Sequence, residues 1–127
     1  MTEIGLILEK CCREVPSAFS AALIDASTGT AIDSVTRDEK FNLAQLAPTL
    51  ADAAKRHQSA LDTMGARQAT SENLIITTNK GCLLLHLFGA SKEQTYVIAM
   101  AAGRLANPGM ARLVLAAYEA RLLELLR

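Results

Sequence analysis

Hydrophobic positions recur with two different periods along this chain, and the switches between them mark out its elements. Ile4, Ile7, Leu8, Cys11 and Val15 fall at helical spacing, which predicts a first helix with Thr2 as its N-cap and Pro16 stopping it near Val15. Residues 19–25 are rich in small and branched apolar side chains. The cluster Asp25-Ala26-Ser27-Thr28-Gly29-Thr30 that follows has turn chemistry, with Gly29 where a positive φ is expected. Residues 30–35 resume as a strand, so the two runs form a β-hairpin.

After the mixed-charge connector Arg37-Asp38-Glu39-Lys40, a second helix is predicted from about residue 42 to residue 57 or a little beyond. Leu43, Leu46, Leu50, Ala54, His57 and Leu61 form its apolar stripe; Gln45, Thr49, Asp52, Arg56 and Ser59 lie opposite. Pro48 falls inside this pattern, and a proline in a helix interior costs about 3 kcal/mol. Either the regular helix begins at Ala47 with Pro48 in its first turn, or the helix kinks there.

Beyond a polar loop over residues 64–71, three strands follow in close order, ENLIITT (72–78), CLLLHLF (82–88) and TYVIAMAA (95–102). Asn79-Lys80-Gly81 is a tight hairpin turn, and residues 89–94 make a longer polar one. The run 82–88 is apolar on both faces, the mark of a central strand covered by helices on both sides. Asn107 or Pro108 opens a last helix that runs to the C-terminus. It is apolar over more than half its circumference, so burial along most of its length is expected. The order α-β-β-α-β-β-β-α over residues 1–127 implies a single α/β domain. Its architecture is a three-layer sandwich in which a five-stranded, mainly antiparallel sheet has helices on both faces.

Composition narrows the function. Lys plus Arg and Asp plus Glu are both 13, so net charge is zero, and no electrostatic footprint for nucleic acid or anionic membrane exists. Phe19, Phe41, Phe88, Tyr96 and Tyr118 are too few and scattered for base-stacking platforms. The start MTEIGLILEK lacks a basic n-region and is interrupted by Glu3 and Glu9, unlike a signal peptide. No stretch approaches the roughly 20 apolar residues of a membrane span, so a cytoplasmic location is expected. Cys11, Cys12 and Cys82 are an odd count without metal spacing and read as small buried or half-buried thiols.

Reactive constellations are weak. Cys82 and His86 share a strand face but stand about 13 Å apart at ~3.3 Å per residue, too far to hold one ion, so His86 is expected to be a hydrogen-bonded core or interface histidine. The Asp25 turn lacks a Gly-rich loop with Lys and reads as a side-chain-capped turn. Ser17 and Ser20 have no acid or histidine nearby in sequence. Arg104, Arg112 and Arg121 read as ordinary surface or helix charges rather than an arginine finger. No catalytic residue, metal or cofactor is therefore assigned.

The order and punctuation of the elements resemble the roadblock/dynein light chain family over nearly the whole chain. The residues that carry the resemblance are Leu23-Ile24-Asp25-Ala26-Ser27-Thr28-Gly29-Thr30, Ile75-Ile76-Thr77 before Asn79-Lys80-Gly81, Leu83-Leu84-Leu85, Val97-Ile98-Ala99, and Asn107-Pro108-Gly109 with Met110-Ala111-Arg112-Leu113. Longin-like and profilin-like domains share much of this architecture. The resemblance implies a non-enzymatic module that pairs with itself or a paralogue through the third strand and second helix. It also implies that a small Ras-like GTPase is regulated or scaffolded. The site residues follow. Glu72, Leu74, Ile75, Ile76 and Thr77 lie on the expected sheet edge, which would template pairing if left bare. With His57 of the second helix they form the expected dimer interface. Gln45, Thr49, Asp52, Arg56 and Ser59 form the expected partner-binding face. The alternative is a small-ligand sensor domain of longin/profilin-like shape, and a small enzyme is disfavoured for want of a paired acid/base set.

Overall fold

A computed structural model describes residues 2–37, 41–65, 71–89 and 93–127. Parts of the connector at 37–40, the loop at 64–71 and the turn at 89–94 therefore lie outside the described residues. Helix α1 (Glu3–Glu14) starts where Thr2 Oγ1 accepts a hydrogen bond from Gly5 N at 2.9 Å. It buries the stripe Ile7, Leu8, Cys11 and Cys12. The hairpin of β1 (Ala18–Asp25) and β2 (Thr30–Thr36) turns through Asp25. Its Oδ1 accepts from Ser27 N at 2.9 Å and Ser27 Oγ at 2.6 Å, and Gly29 takes the φ of 73° that favours glycine. The turn is thus capped by its own side chain.

The question posed by Pro48 resolves toward the first turn. A 3-10 turn (Leu43–Leu46), capped by Asn42 Oδ1 accepting from Ala44 N at 3.0 Å, precedes α2 (Ala47–Thr63). Pro48 then falls where its missing N–H has no helical partner to lose. Strands β3 (Ser71–Thr78), β4 (Gly81–Gly89) and β5 (Thr95–Gly103) follow as expected. The last helix is two pieces: α3 (Pro108–Ala117), capped by Asn107, and α4 (Glu119–Leu125), separated by Tyr118.

The sheet is antiparallel throughout, in the order β2-β1-β5-β4-β3. Its middle strand is β5, buried from Thr95 to Ala102, whereas β4 stands one place from the edge. Residues 82–88 are thus an interior strand, as expected, with the middle place itself taken by β5. A second-from-edge strand is also covered on both faces, so its apolar pattern is the same. Leu84, His86 and Phe88 face one way and Leu85 and Leu87 the other.

Two cores result. Helices α1, α3 and α4 close one around Leu8, Leu23, Leu84, Ile98, Met100, Leu115 and Leu122. Helix α2 closes the other around Ile24, Leu43, Leu50, Leu85, Leu87 and Val97. The expected burial of the C-terminal helix along most of its length is not met. Ala111, Leu115 and Leu122 are its buried residues, while Met110 and Leu113 remain 51% and 60% exposed. α3 meets the core through Ala111, Val114 and Leu115, while Met110 and Leu113 point outward.

Candidate interaction surface

The two edges of the sheet differ. On β2 the register shifts: Leu23 pairs with Asp33 and Ile24 with Ala31, which leaves Ile32 as an extra, unpaired residue. A bulge of this kind twists an edge and discourages pairing. Thr2 at the start of α1 also hydrogen-bonds Asp33. Among the described residues β3 shows no such shift of register. Its pairing with β4 runs unbroken from Ser71 opposite Phe88 to Thr78 opposite Gly81.

Residues directly opposite in an antiparallel pair share a face. Leu74 and Ile76, opposite Leu85 and Leu83, therefore lie on the α2 side with Glu72. Asn73, Ile75 and Thr77 lie on the side of α3. Leu74 and Leu83 pack half-buried against the α2 core, but Ile75 and Ile76 remain 38% and 45% exposed. Helix α2 packs mainly over β1, β2, β4 and β5, and on the α2 side of β3 Glu72 and Leu74 are half-buried while Ile76 is exposed.

Helix α2 presents two distinct surfaces. Thr49, Asp52, Arg56 and Ser59 are exposed on its outer face, and Arg56 Nε reaches Asp52 Oδ2 at 3.0 Å one turn away. Gln45 is also exposed but belongs to the preceding 3-10 turn, which takes it off the α2 face where the helical period had placed it. His57 is half-buried on a flank shared with Leu46, Ala53, Ala60 and Met64. Leu46 and Met64 are 37% and 74% exposed. Met64 was absent from the sequence-based set, although its spacing from His57 and Ala60 continues the flank. The opposite flank carries Pro48, which lies against Gly29 of the β1–β2 turn. The exposed apolar flank thus points away from that turn.

His86 is fully enclosed. Its Nδ1 lies 2.8 Å from Asn73 Oδ1 on β3, and its Nε2 lies 2.8 Å from Glu119 Oε1 on α4. Burial pushes its pKa below the usual histidine value and Arg112 adds to this, while the bond to Glu119 pulls the other way. Ser20 is equally buried: its hydroxyl donates to Val35 O at 3.2 Å and accepts from Leu43 N at 3.4 Å, which seats the 3-10 turn on the hairpin. A groove of about 340 Å³ at the end of β4 and β5, lined by residues including Thr77, Cys82, Arg104 and Pro108, is open to solvent.

Solved structures share this arrangement from end to end. Myxococcus xanthus MglB superposes with a TM-score of 0.81 at 17% identity, over 99% of this chain and 96% of its own. The chain has the roadblock fold. A Roadblock/LC7 domain from Streptomyces avermitilis matches with a TM-score of 0.76 at 17% identity, covering 98% of each chain. The gliding protein MglB from Thermus thermophilus matches at 0.72 and 21% identity, over 94% of this chain and 87% of that one. No family model matches the sequence, and no curated protein matches it. The roadblock fold is therefore visible in the shape while its sequence signal is faint.

Proposed function

We propose that this chain is a non-enzymatic roadblock-type module that pairs with a second copy, or a paralogue, and binds a small Ras-like GTPase that it regulates or scaffolds. The observation that carries the reading is the unbroken register of the edge strand β3 with Ile75 and Ile76 exposed on it, while the other edge of the same sheet is bulged. Pairing β3 with its symmetry mate would continue the sheet across two subunits, an isologous contact. The apolar flank of α2, with Leu46, His57 and Met64, would close over the α2 side of the partner's strand. A solved MglB with a tetrameric arrangement, 21% identical with a TM-score of 0.69, supports assembly as a property of this fold. The outer faces of two α2 helices would then lie side by side as the platform for the GTPase. Among the described residues no helix is long and apolar enough to cross a membrane, and the reading places the module in the cytoplasm.

Sedimentation equilibrium tests the pairing. The wild type is expected as a dimer at micromolar concentration and Ile76→Arg as a folded monomer, since a charge at the centre of the contact is desolvated without a partner. A wild-type monomer, or a dimer that Ile76→Arg leaves intact, counts against β3 as the contact. Affinity capture followed by mass spectrometry tests the partner, with a small GTPase expected. Recovery of a bound metabolite instead would favour the ligand-sensor alternative.

A further inference from the structure

His86 is 1% exposed, yet its ring joins two elements of different layers. Nδ1 meets Asn73 of the edge strand β3, and Nε2 meets Glu119 of the outer helix α4, each at 2.8 Å. Phe88 of β4 stacks alongside with centroids 6.0 Å apart, the opposite residue on β5 is the apolar Ile98, and Arg112 of α3 is the further charge that acts on the ring. A titratable group thus sits between the outer helical layer and the strand at the edge.

A neutral imidazole has one N–H and one lone pair. The carboxylate of Glu119 only accepts, so Nε2 carries the hydrogen and Nδ1 needs a donor. As placed, Asn73 turns Oδ1 toward Nδ1 and Glu119 turns Oε1 toward Nε2, the two-acceptor pattern that suits an imidazolium. With a neutral ring the Asn73 amide must turn over and offer its NH2 group to Nδ1. An imidazolium donates from both nitrogens, and Asn73 must do the reverse. The proton on His86 therefore decides which end of the Asn73 amide faces away from the ring, on the strand that would meet a second subunit. Asn73 is half-buried in the single chain, and a second copy along β3 would cover it and take away the water that still reaches the amide partnering the ring. Desolvation disfavours the charged imidazole, so pairing and protonation oppose each other.

We propose that His86 makes pairing along β3 depend on pH, the dimer weakening as pH falls; this rests on the β3 reading above. The direction follows from linkage. If the dimer holds the ring neutral more strongly than the monomer does, the monomer takes up protons first, and acid shifts the equilibrium toward it.

Sedimentation equilibrium of the full chain between about pH 7.5 and about pH 5.5, with His86→Gln in parallel, tests this. A lowering of half a pKa unit in each of two subunits raises the dimer Kd toward about tenfold at the acid end. That rise is expected in the wild type and not in His86→Gln. His57 is present in both proteins, so the difference isolates His86. Asn73→Asp serves where His86→Gln does not fold. It sets a carboxylate against Nδ1, holds the ring charged, and should move the transition to higher pH. Nitrogen-15 resonances of the His86 ring and the Asn73 amide should titrate with one midpoint. A dimer whose Kd ignores pH, or responds equally in both proteins, or whose transition Asn73→Asp leaves in place, overturns the proposal and leaves β3 pairing standing. A monomer at every pH removes the pairing and the proposal together.

Discussion

Ser20 and His86 are both polar, both buried, and both satisfied by groups that reach in from other elements. Residue chemistry alone read His86 as a hydrogen-bonded core or interface histidine, and the structure encloses it. That reading could not name Asn73 and Glu119, because those partners reach the ring from a neighbouring strand and from a helix near the C-terminus. Ser20 likewise had no partner in sequence, and its partners proved to be main-chain groups of Val35 and Leu43. The cysteines were read as buried or half-buried thiols from their odd count and lack of metal spacing, and Cys11 also falls on the helical stripe of Ile4, Ile7, Leu8 and Val15. Burial pushes Cys11 up to about 12 and Cys12 up to about 11, while Cys82 is half-buried and raised for the same reason. A thiol reagent at about pH 8 should therefore modify Cys82 alone, and slowly, in the folded protein. All three should react after denaturation. Rapid native labelling of Cys11 or Cys12, read by mass spectrometry, would contradict this packing.

Periodicity located every helix and strand but misjudged how some of them end. Over a single turn a 3-10 segment and an α-helix place apolar residues on nearly the same side, so Leu43 and Leu46 fit one stripe with Leu50 although they precede the helix proper. The break at Tyr118 had no signal either. Its φ of −98° and ψ of 0° suit almost any residue, and no Gly or Pro stands there. The cap of α3 was legible in Asn107, whose Oδ1 accepts from Met110 N at 3.2 Å. Asn107→Ala should lower stability by about 1 kcal/mol in a urea titration. Leu113→Lys, on the exposed side of the same helix, should change stability by less than about 0.5 kcal/mol. Leu115→Ala, at a fully buried position, should cost about 2–5 kcal/mol. Similar costs for the two leucine changes would mean that α3 buries a different side.

At the scale of the molecule, the layers and element order were readable, and the strand order was not. Which strand lies in the middle depends on pairing between distant segments, and apolar runs on both faces fit a central strand and its neighbour equally well. The dissimilarity of the two edges also lay beyond sequence, because the bulge at Ile32 arises from register and not from a marker residue. Thr49, Asp52, Arg56 and Ser59 are exposed on α2, where the helical period alone positions them. Asp52 and Arg56 pair with each other while both remain largely exposed, so their ion pair adds little to stability and leaves both charges available. Charge reversal at either is expected to weaken GTPase binding by about tenfold or more while the dimer mass is unchanged. Calorimetry of the captured GTPase against each variant checks this. Unaltered affinity would move the partner surface elsewhere.

The last strand of the chain is the middle strand of the sheet: β5 lies between β1 and β4, with Leu23 opposite Ile98. A ribosome delivers Leu23 well before Ile98. While residues 26–94 are being added, β1 has β2 on one side and nothing on the other, and α1 covers a layer whose other half does not yet exist. Such late closure of distant contacts slows folding and prolongs the exposure of an apolar strand. Closure of this sheet should therefore wait until residues 95–103 leave the exit tunnel.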